Sequence, residues 1–334
     1  MQIGLAYDLK DTIISDTNDP DDAFEEYDSR ETIEIISRAL EAKGHTVSRL
    51  GGGKDFIDNI LKSKVDIVFN ISEGRGTYRS RESQVPAILE MLDIPYTGSD
   101  PQCLSICLDK PVVKKLVTSA GVSTPAWLVI SSDEELSRIL WGNFSFPAIV
   151  KPAYEGSSKG IRADSLVYNK EQAVEIAHKL LQVYHQPVMV EQFISGDEIT
   201  TGIIGNFPPV VLGSMRIKPR KNDVPFVYSL EVKRDWENLV DYECPALLKQ
   251  RILHKIADFS LKVFKMFGCR DFARVDFRIS PEGEPYFLEI NPLPGLGNYS
   301  DLVIMAVKLG WTQEQLIGTV LDVALGRYLQ RICA

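Results

Sequence analysis

The sequence is 334 residues long, with 44% hydrophobic and 25% charged residues and a formal net charge of −9. A chain of this length exceeds one ordinary core, so two or three packed lobes are expected. It has neither the basic stripe that holds a nucleic acid backbone nor an apolar run of membrane-spanning length, so we expect neither nucleic acid nor membrane as a partner. Met1 leads directly into MQIGLAYDL without the pattern of a signal peptide, which predicts a cytoplasmic location.

The cysteines and histidines argue against a zinc site or a nucleophilic triad. Five cysteines are scattered along the chain without a CxxC pair, and no GxSxG occurs. Cys103 and Cys107 are spaced to share one helix face, but two thiols alone make a poor zinc site, so ordinary buried cysteines are expected. None of the four histidines stands beside a serine or cysteine of a hydrolase motif.

The first third of the chain alternates strands and helices. IGLAYDL predicts a strand, and SRETIEIISRALEAKG predicts a helix with Ile33, Ile36 and Leu40 on one side and Gly44 as its stop. VDIVFNIS predicts a buried strand, ESQVPAILEMLD a second helix with Pro86 near its first turn, and IPYTG a short strand and turn. This βαβ order predicts a parallel sheet whose functional edge lies at the carboxyl ends of its strands.

Two further lobes are predicted. The second contains the strands PAWLVI, FPAIVKP and PVMVEQFI and the helices SDEELSRIL and NKEQAVEIAHKLLQVY. The third contains the strands EITTGIIG, PVVLGSMRI, RDFARVDFRIS and PYFLEINPLPG, the long helix LLKQRILHKIADFSLKVFKMFG and a closing pair of helices. The polar stretch 218–242 is long for a compact domain, and long ordered loops are usually lids or binding loops.

A loop of small residues follows a strand that ends in a lysine. In VKPAYEGSSKGI, Lys151 precedes a loop that contains Ser157 and Ser158. Small residues let main-chain N–H groups close around an anion, the hydroxyls add donors, and Lys151 and Lys159 add positive charge. An ordinary hairpin turn explains the loop about as well on its own. GGGKD at 51–55 lacks the spacing of a Walker loop, and a flexible connector is expected there.

Two strands near the end of the chain carry polar side chains on one face. Residues two apart on a strand point to the same side, so Glu289 and Asn291 in PYFLEINPLPGLG aim their oxygens together. In RVDFRI, Asp276 stands between Arg274 and Arg278 on one side. A wet edge strand and an amphipathic strand are the structural alternatives. Oxygen donors on a rigid element suit a hard cation such as Mg²⁺.

The segment VEQFISGDEIT places acids at Glu191 and Glu198 around a short connector between two predicted strands. If the connector is a hinge between lobes, it exposes the main chain of 191–194 to a purine edge, and Glu198 can accept hydrogen bonds from ribose hydroxyls. A polar strand end followed by a Ser-Gly-Asp turn is the alternative.

Five stretches carry a family resemblance. Taken together and in chain order, LDKPVVKKL, VKPAYEGSSKGI, VEQFISGDE, ARVDFRI and FLEINPLPGLG resemble the ATP-grasp superfamily, and most of all D-alanine:D-alanine ligase and its relatives. The likeness spans nearly the whole chain. It implies an α/β protein with the ATP-grasp fold in three lobes: an N-terminal parallel βαβ lobe at 1–109, then two α+β lobes that sandwich ATP, a central ATP-binding lobe at 110–191 and a catalytic lobe at 192–334.

The resemblance also implies roles for particular residues. Lys110 and Lys151 correspond to ATP-phosphate ligands, and the loop at Ser157 and Ser158 corresponds to a cover over the γ-phosphate. The other implied roles are Glu191, Gln192 and Ile194 at adenine; Glu198 at ribose; Asp276, Glu289 and Asn291 as ligands of Mg²⁺ or Mn²⁺; Lys233 at the phosphates; Arg274 with the main chain of Gly295 at the developing oxyanion; and Ser300 at the carboxylate of the second substrate.

Several positions on the substrate side depart from the family pattern. The Gly-Gly-x-Ser-x-Glu start is absent, which leaves Glu25 or Glu26 as the ammonium ligand of the first substrate, and SEGRGTYRSRESQ replaces a glycine-rich acidic loop. Arg234 stands where the family has a tyrosine that closes onto the first substrate, and its fork suits a carboxylate. Asp301 replaces an apolar residue of the second-substrate pocket and needs a cationic partner.

The sequence therefore predicts an enzyme that uses ATP and Mg²⁺ to activate a carboxylate as an acyl phosphate and join it to an amine. D-Alanine:D-alanine ligation is the nearest named activity, and a ligase for L-amino acids or a specialised peptide ligase is the alternative favoured by Arg234 and Asp301. A non-catalytic ATP-binding protein should lack metal ligands or phosphate lysines, and a nicotinamide-dependent oxidoreductase needs GxGxxG after the first strand. By resemblance, we expect a homodimer that acts on small-molecule carboxylates and amines.

Overall fold

The computed structural model describes residues 1–12, 19–221 and 225–333. The first elements are β1 (Gln2–Ala6), α1 (Arg30–Ala42), β2 (Thr46–Gly51), α2 (Gly53–Ile60), β3 (Ile67–Asn70) and α3 (Gln84–Met91). The three strands form a parallel sheet in the order β2-β1-β3. The predicted βαβ lobe is confirmed, and Gly44, with a positive φ of 85°, follows the end of α1 as expected.

The expected flexible connector at GGGKD is wrong. Gly51 ends β2 and Gly53 begins α2, so the glycines form a tight turn between a strand and a helix. A Cβ on Gly52 would lie 2.0 Å from Oδ1 of Asp8, so the main chain passes too close to Asp8 for any side chain. Close packing, rather than flexibility, explains this run of glycines.

The next part of the chain forms a four-stranded sheet. Its elements, in chain order, are α4 (Pro101–Leu108), α5 (Lys110–Ser119), β4 (Trp127–Ile130), α6 (Asp133–Arg138), β5 (Ala148–Pro152), β6 (Leu166–Val167), α7 (Lys170–Tyr184) and β7 (Val188–Gln192). The strands are antiparallel in the order β4-β7-β5-β6. Ser132 and Asn169 cap α6 and α7 through their side chains, which fixes the starts of these helices.

The last part forms a five-stranded sheet. Its elements are β8 (Asp197–Ile204), β9 (Val210–Pro219), α8 (Leu230–Arg234), α9 (Trp236–Leu239), β10 (Val240–Glu243), α10 (Gln250–Met266), β11 (Phe272–Ile279), β12 (Pro285–Asn291), α11 (Asp301–Lys308) and α12 (Gln313–Cys333). The strands are antiparallel in the order β10-β9-β8-β11-β12. No helix within the described ranges is long and apolar enough to cross a bilayer.

The stretch 218–242 is more regular than the expected long loop. It includes α8 and α9, and it returns to the sheet because β10 pairs with β9, with Tyr242 opposite Ile217. Positions 222–224 of this stretch lie outside the described residues. The N–H of Leu230 donates to the carbonyl of Ile161 at 3.0 Å, so the stretch packs against the serine-containing loop, where a cover would be needed.

The hydrophobic cores extend across the predicted lobe boundaries. In one core, Leu316 and Leu321 of α12 pack with Ile33 and Phe69 of the parallel-sheet lobe. In another, Val117 of α5 belongs to the same cluster as β11 and β12. The last helix therefore completes the first lobe, and the helices before β4 complete the five-stranded sheet. The division at 1–109, 110–191 and 192–334 stays a prediction.

Three buried cysteines lie together in the core beneath β11 and β12. The Sγ atom of Cys103 is 3.9 Å from that of Cys107 and 3.5 Å from that of Cys269. The spacing of the first two was visible in the sequence, but the third thiol arrives from a distant turn. In the part of the chain that the structure describes, this is the one group of three His, Cys, Asp or Glu side chains close enough to share a metal ion.

A buried carboxylate, that of Asp271, connects distant parts of the chain. It accepts hydrogen bonds from the N–H of Gly98 at 2.7 Å and from Nδ2 of Asn206 at 2.8 Å. It also binds the Arg327 guanidinium of α12 at 2.9 Å. Both ions are buried, so each depends on the other for its charge compensation.

We expect Asp271→Asn to lower the free energy of unfolding by about 3–5 kcal/mol, because it leaves the buried Arg327 without a counter-charge. Asparagine tolerates the positive φ of 68° at this position, so the loss reports the charge rather than backbone strain. Urea unfolding followed by circular dichroism measures the effect. Asp322→Asn, an exposed position on the same helix, is the matched control, and equal stability of the two variants would contradict this account.

Candidate functional site

Three adjoining cavities lie among the three sheets. The inner cavity is lined by the four-stranded and five-stranded sheets, with residues that include Ile149, Gln192, Glu198 and Leu288. The middle cavity is lined by residues that include Lys151, Ser158, Asp276 and Glu289. The outer cavity reaches the carboxyl edge of the parallel sheet, with residues that include Glu25, Asp28, Glu73 and Ser300. Tyr228 borders all three, so they form one continuous site.

Four polar side chains share one face of the β11–β12 pair. The register places Arg274 opposite Asn291 and Asp276 opposite Glu289, so the four predicted residues come together. The Arg274 guanidinium binds Asp276 at 2.9 Å and reaches Asp301 at 3.4 Å. Burial opposes the charge of Arg274, but Asp276 and Asp301 raise its pKa. This guanidinium is therefore a fixed positive charge between the middle and outer cavities.

The residues on this face fit a divalent cation. Burial and the neighbouring Glu289 raise the pKa of Asp276, so these adjacent carboxylates repel each other. Although burial opposes it, Lys110, Lys151 and Arg274 hold the pKa of Glu289 at about 2, which keeps that group ionised. The Asn291 Oδ1 accepts one hydrogen bond from the N–H of Leu293 at 3.0 Å and retains a lone pair. Two carboxylates and an amide oxygen are ligands that suit Mg²⁺.

The predicted phosphate lysines are held in buried positions. Asp109 caps α5 and places Lys110 in its first turn, where Nζ donates to the carbonyl of Glu155 and lies 3.7 Å from Glu289. Burial lowers the pKa of Lys110, an effect that Glu289 opposes. Lys110 lies behind Glu289 rather than on the lining of the cavities, whereas Lys151 lines the inner and middle cavities.

Glu191 is the counter-ion of two lysines. Its carboxylate lies 2.9 Å from Nζ of Lys114 and 3.3 Å from Nζ of Lys151. Burial lowers the pKa of Lys114 to about 8. The side chain of Glu191 is thus committed to lysines, and only its main chain remains for a ligand. Lys114 was not singled out from the sequence, although LDKPVVKKL places it one helical turn after Lys110.

The serine loop has an unusual backbone. Ser157 and Ser158 have positive φ angles of 50° and 59°, which non-glycine residues rarely adopt. Ser157 lines the outer cavity, and Ser158 lines the middle cavity while its hydroxyl donates to the carbonyl of Tyr228 at 3.1 Å. The expectation that Lys159 adds charge for a phosphate is wrong, because its Nζ binds Glu26 at 2.9 Å and Glu155 at 2.5 Å.

The inner cavity contains the predicted hinge residues. Gln192, Ile194 and Glu198 all line it. Arg278 donates to the carbonyl of Ile194 at 2.5 Å and binds Glu198 at 2.9 Å, while its guanidinium lies over the Phe193 ring at 4.4 Å. Burial raises the pKa of Glu198 to about 7, although Arg278 opposes the shift. The cavity therefore combines an apolar wall with acceptors at its edge.

The outer cavity contains the remaining predicted substrate residues. Ser300 precedes α11, and its side chain does not cap the helix, which leaves the hydroxyl for a ligand. A Cβ on Gly295 would lie 2.8 Å from the Ser300 Oγ, so this position needs glycine. Asp301 binds Arg274 and accepts a hydrogen bond from the Tyr228 hydroxyl at 3.1 Å. The cationic partner that the sequence requires for Asp301 is therefore Arg274.

Arg234 lies outside all three cavities. Its guanidinium binds Glu25 at 2.8 Å and Asp21 at 3.4 Å, and its side chain is 40% exposed. The structure thus places Arg234 against protein carboxylates. It is not in a position to bind a substrate carboxylate, as the planar shape of its guanidinium suggested. Lys233, its neighbour on α8, does line the middle and outer cavities, with Nζ 5.2 Å from the centre of the Tyr228 ring.

Arg81 was missed in the sequence although it supports the site. It binds Glu26 at 2.6 Å and Glu155 at 3.1 Å from a fully buried position. The segment SEGRGTYRSRESQ contains four charged side chains besides Arg81, and nothing in the sequence separates the buried arginine from the exposed ones. Asp28 and Glu73 were missed for the same reason, since each follows or precedes other acids. Glu73 follows the end of β3 closely in the sequence, whereas Asp28 reaches the neighbourhood of β1 only through the fold.

The fold and the site define a class of protein. Two sheets enclose a cavity with an apolar wall, Lys151 approaches from the four-stranded sheet, Lys110 and Lys114 approach from α5, and an acid-amide face approaches from the five-stranded sheet. This is the ATP-grasp arrangement, in which a nucleotide is held between two sheets.

Comparison with known proteins identifies the family within that class. The sequence matches the family described as D-ala D-ala ligase C-terminus over residues 116–322. It is 35% identical to the D-alanine–D-alanine ligase of Aquifex aeolicus, over 88% of this chain and 94% of that protein. It is 32% identical to the uncharacterized protein y4sG of Sinorhizobium fredii, over 88% of this chain and 87% of that protein.

Solved structures show the same fold. The D-alanine–D-alanine ligase of Bacillus anthracis complexed with ATP superimposes with a TM-score of 0.75 and 22% identity, over 99% of both chains. The VanG D-Ala:D-Ser ligase of Enterococcus faecalis gives a TM-score of 0.69 over 97% of this chain and 99% of the other, with 20% identity. The chain belongs to the D-alanine–D-alanine ligase family and is an ATP-dependent ligase that forms a carbon–nitrogen bond.

We expect Asp28→Asn to raise the melting temperature by several degrees at pH 8. Burial, with a smaller contribution from Asp8, raises the pKa of Asp28 from 3.8 to about 8. An acid with a higher pKa in the folded state ionises more readily when unfolded, so wild-type stability falls relative to the variant as pH rises from 3.8 to about 8. Thermal unfolding at pH 4, 6 and 8 measures the trend.

Glu171→Gln is the control for this comparison, because Glu171 is exposed and in the first turn of α7. It reports how an acid-to-amide change at the surface behaves in the same assay. A stability difference for Asp28→Asn that is the same at pH 4 and pH 8 would contradict the raised pKa of Asp28.

Proposed function

We propose that this ligase uses ATP to activate the carboxylate of one amino acid and joins it to the amine of a second, forming a peptide bond. The observation that carries the proposal is one continuous site in which Lys151, Asp276, Glu289 and Arg274 surround the middle cavity. Curated relatives named D-alanine–D-alanine ligase, at 30–35% identity over most of the chain, support amino acids as substrates.

The chemistry has two steps. In the first, an oxygen of the substrate carboxylate attacks the γ-phosphorus of ATP, and the bond from that phosphorus to the bridging oxygen breaks. ADP is the leaving group, and the product is an acyl phosphate. In the second, the neutral amine of the other substrate attacks the acyl carbon. The tetrahedral intermediate then expels inorganic phosphate, and the nitrogen loses a proton to give the amide. Both steps concentrate negative charge where fixed cations can stabilise it.

The nucleotide lies in the inner and middle cavities in this proposal. The main chain of 191–194 contacts the adenine base, and Glu198 accepts hydrogen bonds from the ribose. Lys151, Ser157 and Ser158 bind the transferring phosphate, with Lys233 reaching it from α8. Lys110 acts from behind Glu289, keeping that carboxylate ionised. The buried, ion-paired geometry of these groups supports the assignment, because preorganised charges need little rearrangement during the reaction.

Asp276, Glu289 and Asn291 would hold Mg²⁺, or Mn²⁺, in the middle cavity. A divalent cation supplies charge neutralisation at phosphate oxygens when it is bound. The repulsion between Asp276 and Glu289 in the free protein supports this assignment, since a cation between them would relieve it.

Arg274 and the main chain of Gly295 stabilise the oxyanion of the tetrahedral intermediate in this proposal. Asp276 and Asp301 hold the guanidinium between the middle cavity and the outer cavity. In this proposal, phosphate transfer and amine attack both take place next to that position. The Ser300 hydroxyl binds the carboxylate of the second substrate beside the start of α11.

Water must be excluded, because an acyl phosphate hydrolyses readily. The serine loop and the stretch before α8 are joined by the Ser158 hydroxyl and by the N–H of Leu230. Arg234, on α8, binds Asp21 and Glu25 of the N-terminal lobe and so connects this cover to that lobe. We infer that Arg234 acts as a latch on the closed site rather than as a substrate ligand.

The protein acts as a cytoplasmic homodimer in this proposal. The resemblance to ligases that pair through their first lobes supports it, as do exposed apolar side chains directly after α2 and at the end of α3. Leu61 is 66% exposed and Met91 is 76% exposed. Size-exclusion chromatography with light scattering measures the assembly state.

The test of function is ADP and phosphate release by purified protein with ATP and Mg²⁺ across D- and L-amino acids, singly and in pairs. Mass spectrometry then identifies the product. A dipeptide from D-alanine alone would establish D-alanine ligation, and a product from another pair would name a different substrate class. Absence of amino-acid-dependent ADP release across the whole set would reject the proposal.

We expect Glu289→Gln to reduce turnover by at least about 100-fold, because the amide cannot supply the ionised oxygen ligand that a divalent cation prefers. Initial rates of ADP release at saturating Mg²⁺ measure the effect. Glu284→Gln, at a half-buried position in the turn before β12, is the control and should keep near-normal rates. Near-normal phosphate release by Glu289→Gln would remove Glu289 from the metal site.

A further inference from the structure

Two carboxyl groups of the outer cavity have no partner. Asp28 and Glu73 line the cavity, and within the described residues neither side chain makes a hydrogen bond or an ion pair. The other three acids of the cavity are compensated: Glu25 by Lys10 and Arg234, Glu26 by Arg81 and Lys159, and Asp301 by Arg274. Asp28 is 8% exposed, so water does not replace a partner.

Both carboxyls are attached to a rigid backbone. The N–H of Asp28 donates to the carbonyl of Asp8 at 2.9 Å, and its carbonyl accepts from the N–H of Lys10 at 3.1 Å. Glu73 stands between Ser72 and Gly74, which both donate to the Asp8 carboxylate, at 2.5 Å and 2.9 Å. Neither side chain is therefore free to swing into bulk water by a simple movement of its loop.

The cavity penalises these negative charges in the absence of a ligand. Burial raises the pKa of Asp28 to about 8. Burial, then the neighbouring Glu82, Glu26 and Asp28, raise the pKa of Glu73. A protein does not gain stability from two uncompensated acids in one cavity, so a cation that arrives with the ligand is the direct physical explanation.

An ammonium group fits this position better than a metal ion. No three Asp, Glu, His or Cys side chains of the described outer cavity converge closely enough to share an ion. An ammonium group donates three hydrogen bonds and can be shared by acceptors that are further apart.

One ammonium group carries a single positive charge, so even when two acceptors share it, it balances only one of the two carboxylates. When the carboxylate of an ordinary amino acid lies near Arg274 or Lys233, its α-ammonium balances one acid and leaves the other buried without a counter-charge, so that this acid is either ionised at a cost or protonated. A second amine on the same substrate would compensate both.

We propose that Asp28 and Glu73 form a subsite for a second ammonium group, so that one of the two substrates is a diamino acid. This inference rests on the proposed function, and it names the substrate class of that site. It also gives a reason for the departure from the family pattern at the start of the chain and at SEGRGTYRSRESQ, since these segments carry the two acids.

The test compares diamino acids with neutral counterparts of similar length. The diamino acids are 2,4-diaminobutyrate, ornithine and lysine, and the counterparts are 2-aminobutyrate, norvaline and norleucine, each as both stereoisomers and each paired with alanine. We expect wild-type kcat/KM for at least one diamino acid to exceed that for its counterpart by at least about tenfold, equivalent to about 1.4 kcal/mol.

Two isosteric variants locate the effect. Asp28→Asn and Glu73→Gln should each lower kcat/KM for the preferred diamino acid by at least about tenfold, mainly through KM, and the variant at the acid that binds the side-chain ammonium should change the value for the neutral counterpart by less than about threefold. Both variants should fold, because neither side chain has a protein partner to lose. Glu171→Gln is the surface control.

The outcomes separate the subsite from the ligase function. Equal turnover of neutral and diamino acids would overturn the subsite and leave the ligase intact. If no amino acid stimulates ADP release, the proposed function fails, and calorimetry of diamino acid binding in the presence of a non-hydrolysable ATP analogue decides the subsite. Binding to wild type that weakens at least about tenfold in both variants supports it, and absent or unchanged binding overturns it.

Discussion

The buried guanidinium of Arg81 is the interaction on which the arrangement of the site depends. It is 2% exposed, and it joins Glu26 of the N-terminal lobe to Glu155 at the start of the serine loop, while Lys159 completes the group. Because a buried ion without its partner costs about 3–5 kcal/mol, the N-terminal lobe and the serine loop are held together. The main-chain carbonyl of Glu155 in turn accepts a hydrogen bond from Lys110, so the same network reaches the nucleotide side of the site.

The same principle organises the middle cavity. Lys114 and Lys151 surround Glu191, Lys110 and Arg274 approach Glu289, and Arg274 lies between Asp276 and Asp301. Positive and negative groups alternate through the cavity, so a phosphate and a divalent cation would enter an environment that is already polarised. Such preorganised charge is the main means by which a protein stabilises charge that develops during phosphoryl and acyl transfer.

The inner and middle cavities differ from the outer cavity in how far their charges are compensated. Around the inner and middle cavities, each of the acids discussed has a lysine or arginine partner. In the outer cavity, Asp28 and Glu73 do not. This contrast supports the proposals that the inner and middle cavities hold the nucleotide and that the outer cavity sets the choice of substrate. Arg234 belongs to neither part, because Glu25 and Asp21 already occupy its guanidinium.

The sequence by itself indicated most of the strands and helices, because those signals are local, and its motifs carried the family resemblance. Period-two alternation placed Asp276 beside Arg274 and Glu289 beside Asn291. Only the tertiary structure decided which charged side chains are buried and which partners they bind. Arg81 meets Glu26 and Glu155, Lys159 turns away from the cavity, and Cys269 joins Cys103, because contacts between residues far apart in the chain leave no periodic pattern. The unpartnered state of Asp28 and Glu73 is likewise a property of the folded cavity, since an acid in a sequence shows its charge but not its surroundings.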